Sequence, residues 1–318
     1  MAEKVIDILT GSKKSLFTFE LLPPLKGHTI EEIYSAIDPL MAYEPAYINV
    51  TYHQQETEYH ERPDGLLERR IVRKRPGTVA LAAAIKYRYQ TPVVPHLICG
   101  GFTREETEDA LIDLHFLGIR NVLVLRGDPH KGVRRFTPEP GGHAHAAELV
   151  NQVKKMNNGG YLHDLENASP TDFCIGVAGY PEKHMEAANM KLDLAYLKQK
   201  VDKGADYIVT QMFFDNARFF SFVEACRQMG IKVPILPGIK PISALSDLRL
   251  LPQTFAVDLP EALVKEIQKC KTTKQVRQVG VEWSIMQSKE LVASGVPGVH
   301  YYSLGQSDNI QQIASAVF

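Results

Sequence analysis

Six short apolar runs in this sequence end in, or contain, polar side chains that a packed core would not request. The first reads Phe17-Thr18-Phe19-Glu20-Leu21-Leu22-Pro23-Pro24, with a carboxylate inside it. Burying that group is costly unless it is paired or protonated. Glu20 therefore reads either as half of a salt bridge at a rim or as an acid placed to move a proton. A second run ends Asn49-Val50-Thr51-Tyr52-His53, and a third contains Pro95-His96-Leu97. The fourth ends Leu125-Arg126-Gly127-Asp128-Pro129, where a glycine between a cation and an anion would let a ligand approach the backbone. The fifth ends Ala178-Gly179-Tyr180-Pro181-Glu182-Lys183-His184, and the sixth, Thr210-Gln211-Met212-Phe213-Phe214, carries a lone amide among apolar neighbours. Any one of these could be structural. Six of them are hard to explain as packing alone.

The elements that must position these residues are read from periodicity. Eight β-branched or aromatic runs are expected strands: Leu16–Leu22, Tyr47–Tyr52, Val93–Cys99, Asn121–Arg126, Phe173–Gly179, Tyr207–Phe213, Val233–Ile239 and Val299–Leu304. Several are nearly continuous apolar stretches, as strands buried on both faces should be. Thr29 before Ile30-Glu31-Glu32 and Thr103 before Arg104-Glu105-Glu106 have capping-box spacing. Gly118, Gly204 and Gly230 stand where left-handed helix ends are expected. Strand, helix, glycine, strand is the grammar of parallel βαβ units, and eight such strands predict a single-domain α/β fold, a (β/α)8 TIM barrel over residues 1–318. In such a barrel the active site lies at the C-terminal strand ends, where the six polar endings converge. Two connections are long: Pro129–Gly142, rich in proline and glycine, and Ser243–Gly298, which must hold extra helices.

Bulk properties exclude several classes. A formal net charge of -1 argues against a nucleic-acid footprint, and the basic run Arg69–Arg75 is expected to be a solvated helix and loop face. Cys99, Cys174, Cys226 and Cys270 form no CxxC pair and suit buried thiols in a reducing compartment. The N-terminus shows no signal peptide and no apolar stretch could span a bilayer, so a cytoplasmic protein is expected. His143-Ala144-His145 with Glu148 nearby could resemble a ligand cluster, but no second His/Cys group has ligand spacing, so no metal is expected. No GxxxxGK loop or GxGxxG fingerprint is present, so a nucleotide cofactor would not be held by a Rossmann unit.

Taken in order, Phe19-Glu20-Leu21-Leu22-Pro23-Pro24, Val50-Thr51-Tyr52, Pro95-His96-Leu97, Leu125-Arg126-Gly127-Asp128, Ala178–His184, Thr210–Phe214 and Pro237-Gly238-Ile239 resemble the methylenetetrahydrofolate reductase family along nearly the whole chain. The resemblance implies a barrel that holds FAD non-covalently and works by a ping-pong mechanism. NADH or NADPH reduces the flavin, which then reduces 5,10-methylenetetrahydrofolate to 5-methyltetrahydrofolate, supplying methyl groups for methionine synthesis. It implies that Glu20 is the acid that opens the folate's five-membered ring and that the charge of Asp128 favours the resulting iminium cation. Tyr180 and Gln211 would join Glu20 and Asp128 in contacting substrate. Thr51, Tyr52, His96, Arg126, Gly127, Asp128, His145, Ala146, His184, Asp193 and Lys200 would contact FAD or border it. By itself the Asp193, Tyr196, Lys200 spacing, which puts the three on one helical face, reads as an exposed charged surface. Relatives are commonly homo-oligomers.

The chain departs from the commoner family pattern in places. His145-Ala146 stands where Tyr-Ala is frequent, and Tyr302-Ser303-Leu304-Gly305-Gln306 replaces Tyr-Thr-Leu-Asn-Arg, leaving a substrate-side cation unassigned. Tyr196 and Gln199 stand where other polar residues are frequent. The chain ends at Phe318, from which neither a fused regulatory domain nor direct control by S-adenosylmethionine is expected. The alternatives are another FAD-dependent barrel oxidoreductase, or a folate- or flavin-binding subunit without turnover. No residue decides between NADH and NADPH.

Overall fold

All eight expected strands form and close on themselves. The computed structural model describes residues 3–129, 133, 135–303 and 307–318. Its elements run α1 (Val5–Gly11), β1 (Leu16–Leu21), α2 (Ile30–Ile37), a 3₁₀ turn (Asp38–Tyr43), β2 (Ile48–Val50), β3 (Glu56–Glu61), β4 (Leu67–Val72), α3 (Thr78–Tyr89), β5 (Val93–Ile98), α4 (Arg104–Phe116), β6 (Asn121–Leu125) and α5 (Ala146–Asn157). They continue with β7 (Cys174–Gly179), α6 (Met190–Asp202), β8 (Tyr207–Met212), α7 (Asn216–Gln228), β9 (Ile235–Ile239), α8 (Asp247–Phe255), α9 (Glu261–Lys269), α10 (Thr273–Ala293), β10 (Gly298–Tyr302) and α11 (Ser307–Val317). The barrel order is β1-β10-β9-β8-β7-β6-β5-β2, with β2 pairing back to β1 and every pair parallel. This is the (β/α)8 barrel the alternation of elements predicted.

Side chains alternate across each strand, and that alternation builds two different surfaces. Phe17, Phe19 and Leu21 of β1 point outward into the main core beneath the helices, with Ile48, Val50, Val122, Val124, Ile175 and Val177. The opposite faces fill the lumen: Tyr47, Val94, Leu123, Cys174, Tyr207, Val209 and Leu236 pack together, and Val5 and Leu9 of α1 plug that end. The plug is tied down by Asn121, whose Oδ1 accepts from the Val5 N–H at 2.8 Å and whose Nδ2 donates to the Glu3 carbonyl at 2.7 Å.

The long connection after β9 holds the extra helices α8, α9 and α10. The capping box at Thr103 forms, with Glu106 N–H donating to Thr103 Oγ1 at 3.1 Å and Thr103 N–H to Glu106 Oε2 at 2.8 Å. The one expected at Thr29 does not, because the Glu32 carboxylate meets His28 Nδ1 at 2.6 Å instead of returning to the cap. Gly118, Gly204 and Gly230 take φ of 64°, 118° and 77°, as helix-ending residues should. Of the loop Pro129–Gly142, residues 130–132 and 134 lie outside the described residues, as do Leu304, Gly305 and Gln306 after β10.

The basic run is not helical. Arg69–Val72 belongs to β4, which pairs antiparallel with β3 as a hairpin apart from the barrel. Pro63-Asp64-Gly65 supplies the turn, with Gly65 at φ 76°. The expectation of solvation holds on the hairpin itself, since Arg69 and Arg70 are exposed.

Candidate active site

Glu20 is inward-facing on β1 and only 6% exposed. Register sets Tyr302 beside it on β10 and Asn49 beside it on β2. Its Oε2 lies 3.6 Å from His300 Nε2 and 3.8 Å from His96 Nε2. His300 in turn meets Thr18 Oγ1 through Nδ1 at 3.0 Å, and His96 Nε2 lies 3.3 Å from Asn49 Nδ2. Burial pushes the His96 pKa down to about 4, against the pull of the Glu20 charge and reinforced by His300 and His53. Near neutral pH His96 is therefore an uncharged neighbour of Glu20. Ser303 Oγ donates to the Glu20 carbonyl at 2.5 Å, fixing the strand end.

The rim surrounds this centre. Tyr302 donates to the Thr210 carbonyl at 2.5 Å, and a Cβ at Gly238 would fall 2.2 Å from that carbonyl and 2.6 Å from the ring, so Gly238 makes room for both. Burial, with the charges of Glu20 and Tyr180, holds the Tyr302 phenol well above its usual range. Tyr180 stands edge-on to His184, centroids 4.7 Å apart. Asp128 is exposed at the mouth, and its carbonyl accepts from Gln54 Nε2 at 3.0 Å. Gly127 has φ 85°, and a Cβ there would press on Ile98 at 3.2 Å. The glycine is thus demanded by backbone and packing as well as by any ligand.

Several expected residues are already engaged. Arg126 makes two bonds to Glu186, at 2.5 and 2.9 Å, and stacks over Phe136; burial opposes its charge and Glu186 more than restores it. Asp193 Oδ2 accepts from the His184 N–H at 2.9 Å, and Lys200 Nζ donates to the Ala178 carbonyl at 2.5 Å. Burial raises the Asp193 carboxyl and lowers Lys200 to about 8. These two are therefore not an exposed charged surface, although Tyr196 on the same side of the helix is 54% exposed. Gln211 is half-buried, its Oε1 accepting from the Met212 N–H at 2.9 Å where β8 slips register against β9. Thr51 and Tyr52 leave β2 at the rim, with Tyr52 5.0 Å from Phe102. His145 is exposed at the start of α5 and Ala146 half-buried behind it. The buried neighbour is His143, held by Gln152 at 2.5 Å.

The residue that sequence reasoning missed is His300. Its signal was present: a histidine inside Val299-His300-Tyr301, in register with Thr18. Its flanking apolar residues let the run pass as ordinary strand.

Comparison with known proteins now decides the family. The methylenetetrahydrofolate reductase family model matches residues 4–317. The chain belongs to the methylenetetrahydrofolate reductase family. The 5,10-methylenetetrahydrofolate reductase of Pectobacterium carotovorum is 30% identical over 294 residues, covering 92% of this chain and 86% of its own. Methylenetetrahydrofolate reductase (NADH) 1 of Arabidopsis thaliana is 32% identical over 95% of this chain. The chain spans about half the length of that plant relative, 48%. Among solved structures, a Clostridium thermocellum protein that binds two copies of 5-methyl-5,6,7,8-tetrahydrofolic acid superposes with a TM-score of 0.58 at 15% identity, over 97% of this chain and 96% of its own. Oxaloacetate acetylhydrolase superposes at 0.51 and 9% identity, over 95% of this chain and 80% of its own. Both are likenesses of fold, and a barrel alone does not carry function to this family member. No helix among the described residues is long and apolar enough to cross a membrane.

Proposed function

We propose that this chain reduces 5,10-methylenetetrahydrofolate to 5-methyltetrahydrofolate with NADH or NADPH as donor and FAD as a non-covalent cofactor, as a cytoplasmic homo-oligomer. The observation that carries the reading is Glu20: a carboxyl group buried at the barrel mouth beside an uncharged His96, in a chain of this family. Ring opening of the folate needs a proton on the departing nitrogen, and on this reading Glu20 would give it. A general acid of this kind contributes about 10²- to 10⁴-fold in rate. Because His96 is neutral, it borders Glu20 at 3.8 Å without locking it in an ion pair. Asp128, at the rim, offers negative charge toward the cationic iminium that ring opening leaves, and Tyr180 and Gln211 border the same space.

The mouth also suits a flavin. Asn49 Oδ1, Thr51 Oγ1, Gln54 Oε1 and His300 Nε2 are buried without hydrogen-bond partners among the described residues. A heteroaromatic with several donors and acceptors answers such unmet groups. Thr51, Tyr52, His96, Arg126, Gly127, Asp128, His145, Ala146, His184, Asp193 and Lys200 would hold it, several already fixed by the contacts above. When bound, it would supply the hydride; the chain supplies placement and charge. The test is product analysis: purified protein, donor and 5,10-methylenetetrahydrofolate incubated without oxygen should yield 5-methyltetrahydrofolate by chromatography. Donor consumption with an artificial acceptor but no methylated folate would instead favour another flavin-dependent oxidoreductase.

A further inference from the structure

The basic run Arg69–Arg75 does not act as one surface. On the hairpin Arg70 pairs with Glu68 at 2.8 Å, and just beyond it Lys74 pairs with Glu56 at 2.8 Å and Glu58 at 3.1 Å. Arg75 differs. It is half-buried where the chain returns to the barrel mouth, and Nη1 donates to the carbonyl of buried Pro23. The neighbouring Lys26 N–H donates to the Lys74 carbonyl at 2.7 Å. Both anchors belong to the chain that continues β1 past Glu20, and Pro23 is three residues beyond that acid. Three residues span no more than about 10 Å.

Arg75 makes that single hydrogen bond and no ion pair among the described residues. A guanidinium has five N–H donors in a planar fork, so most of this fork is unused by protein. Two other cations of this end are committed: Arg126 to Glu186 and Lys200 to the Ala178 carbonyl. Arg75 acts electrostatically on His53, whose ring also feels Asp128, Glu20 and Glu56. It therefore shares the field of the proposed centre. On the same stretch, Thr51 Oγ1 and Gln54 Oε1 are buried without hydrogen-bond partners among the described residues. Withdrawing a cation from water is costly unless an anion meets it, and a planar oxyanion matches the arginine fork in two bonds at once.

We propose that Arg75 is an oxyanion-binding subsite of the mouth, taking a carboxylate or phosphate carried by a ligand whose reacting part lies at Glu20. The subsite rests on the folate-reducing reading. Its anion has two possible sources, the glutamyl carboxylates of the folate and the diphosphate of the dinucleotide donor. Pro23 places the subsite on the non-reacting tail of either.

The experiment measures dissociation constants for 5-methyltetrahydrofolate, for ADP-ribose and for a tetrahydropterin lacking the benzoylglutamate, on wild-type, R75Q and R75K protein. Charge-assisted pairs of this kind are worth about 10- to 100-fold in binding. R75Q should weaken 5-methyltetrahydrofolate or ADP-ribose by that factor, and the weakened ligand names the source. The carboxylate-free pterin should stay within about twofold, and R75K should recover part of the loss because it keeps a cation without the fork. If R75Q does not fold, R75K carries the test, with the oxyanion ligand weaker by about 10-fold and the pterin unchanged. Equal binding of both oxyanion ligands by wild type and variant, or equal weakening of the pterin, overturns the subsite. Wild-type protein that binds none of the three sinks the folate reading itself, and the subsite with it.

Discussion

The two ends of the barrel lumen are built from the same strands and have opposite chemistry. At the α1 end, Tyr47, Val94, Leu123, Cys174, Tyr207, Val209 and Leu236 close around Val5 and Leu9. Two tyrosine hydroxyls, of Tyr47 and Tyr207, are buried there without hydrogen-bond partners among the described residues, their rings 6.4 Å apart. At the other end one carboxyl, two imidazoles, an amide and a hydroxyl meet within hydrogen-bond or ion-pair range. One or two residues along a strand separate a plug from a site. The contrast teaches that, at neutral pH, the plug end sets stability and the mouth end sets chemistry, a division that substitution can test.

The largest expected effect is at the mouth. Glu20→Gln should lower folate reduction by about 10²- to 10⁴-fold while the melting temperature stays close to wild type; steady-state kinetics and a thermal melt on one preparation check both. A stable, fully active variant would break the division.

Next comes pH. His96 has a folded pKa of about 4, below its unfolded value of about 6.5. Between these values the unfolded chain binds the proton and the folded one does not, so stability is present above about pH 6.5 and is lost as pH falls toward 4. The loss should be about 3 kcal/mol, read from urea unfolding at pH 7 and pH 4. His96→Asn should flatten that difference; an unchanged difference would place the titration elsewhere.

At the plug end, a Cβ on Gly176 would fall 2.4 Å from the Tyr207 ring. Gly176→Ala should cost about 1–3 kcal/mol of stability with kcat of the folded fraction retained. Loss of kcat without loss of stability would count against the division.

Asp128→Asn should slow the folate half-reaction by about 10-fold, in stopped-flow traces, and a faster reaction would remove the electrostatic role. The smallest effect is Tyr207→Phe, which removes a buried hydroxyl with no partner among the described residues and should change stability by less than about 1 kcal/mol.

Much of this was legible before any coordinates. The barrel strands announce themselves as apolar runs because both faces are buried, and Glu20, His96 and Gln211 stand out as polar exceptions within them. His300 escaped because one polar residue among Val299, Tyr301 and Tyr302 leaves the run apolar on average; only register with Thr18 and Glu20 reveals it. The hairpin was misread because its charges mask the alternation of β3 and β4, although Pro63-Asp64-Gly65 held the turn signal. That Arg75 parts company with Arg69 and Arg70 was not legible, since it depends on the chain doubling back to Pro23. Likewise, nothing local foretold that Asp193 and Lys200 turn inward onto backbone groups.

The most direct test of the central claim is an absorbance spectrum of the purified protein, followed without oxygen by NADH and then 5,10-methylenetetrahydrofolate. The account predicts a flavin band that NADH bleaches and the folate restores in wild type, with restoration lost in Glu20→Gln. A colourless protein that takes up no FAD, or a bleached flavin that the folate leaves unchanged, would contradict it.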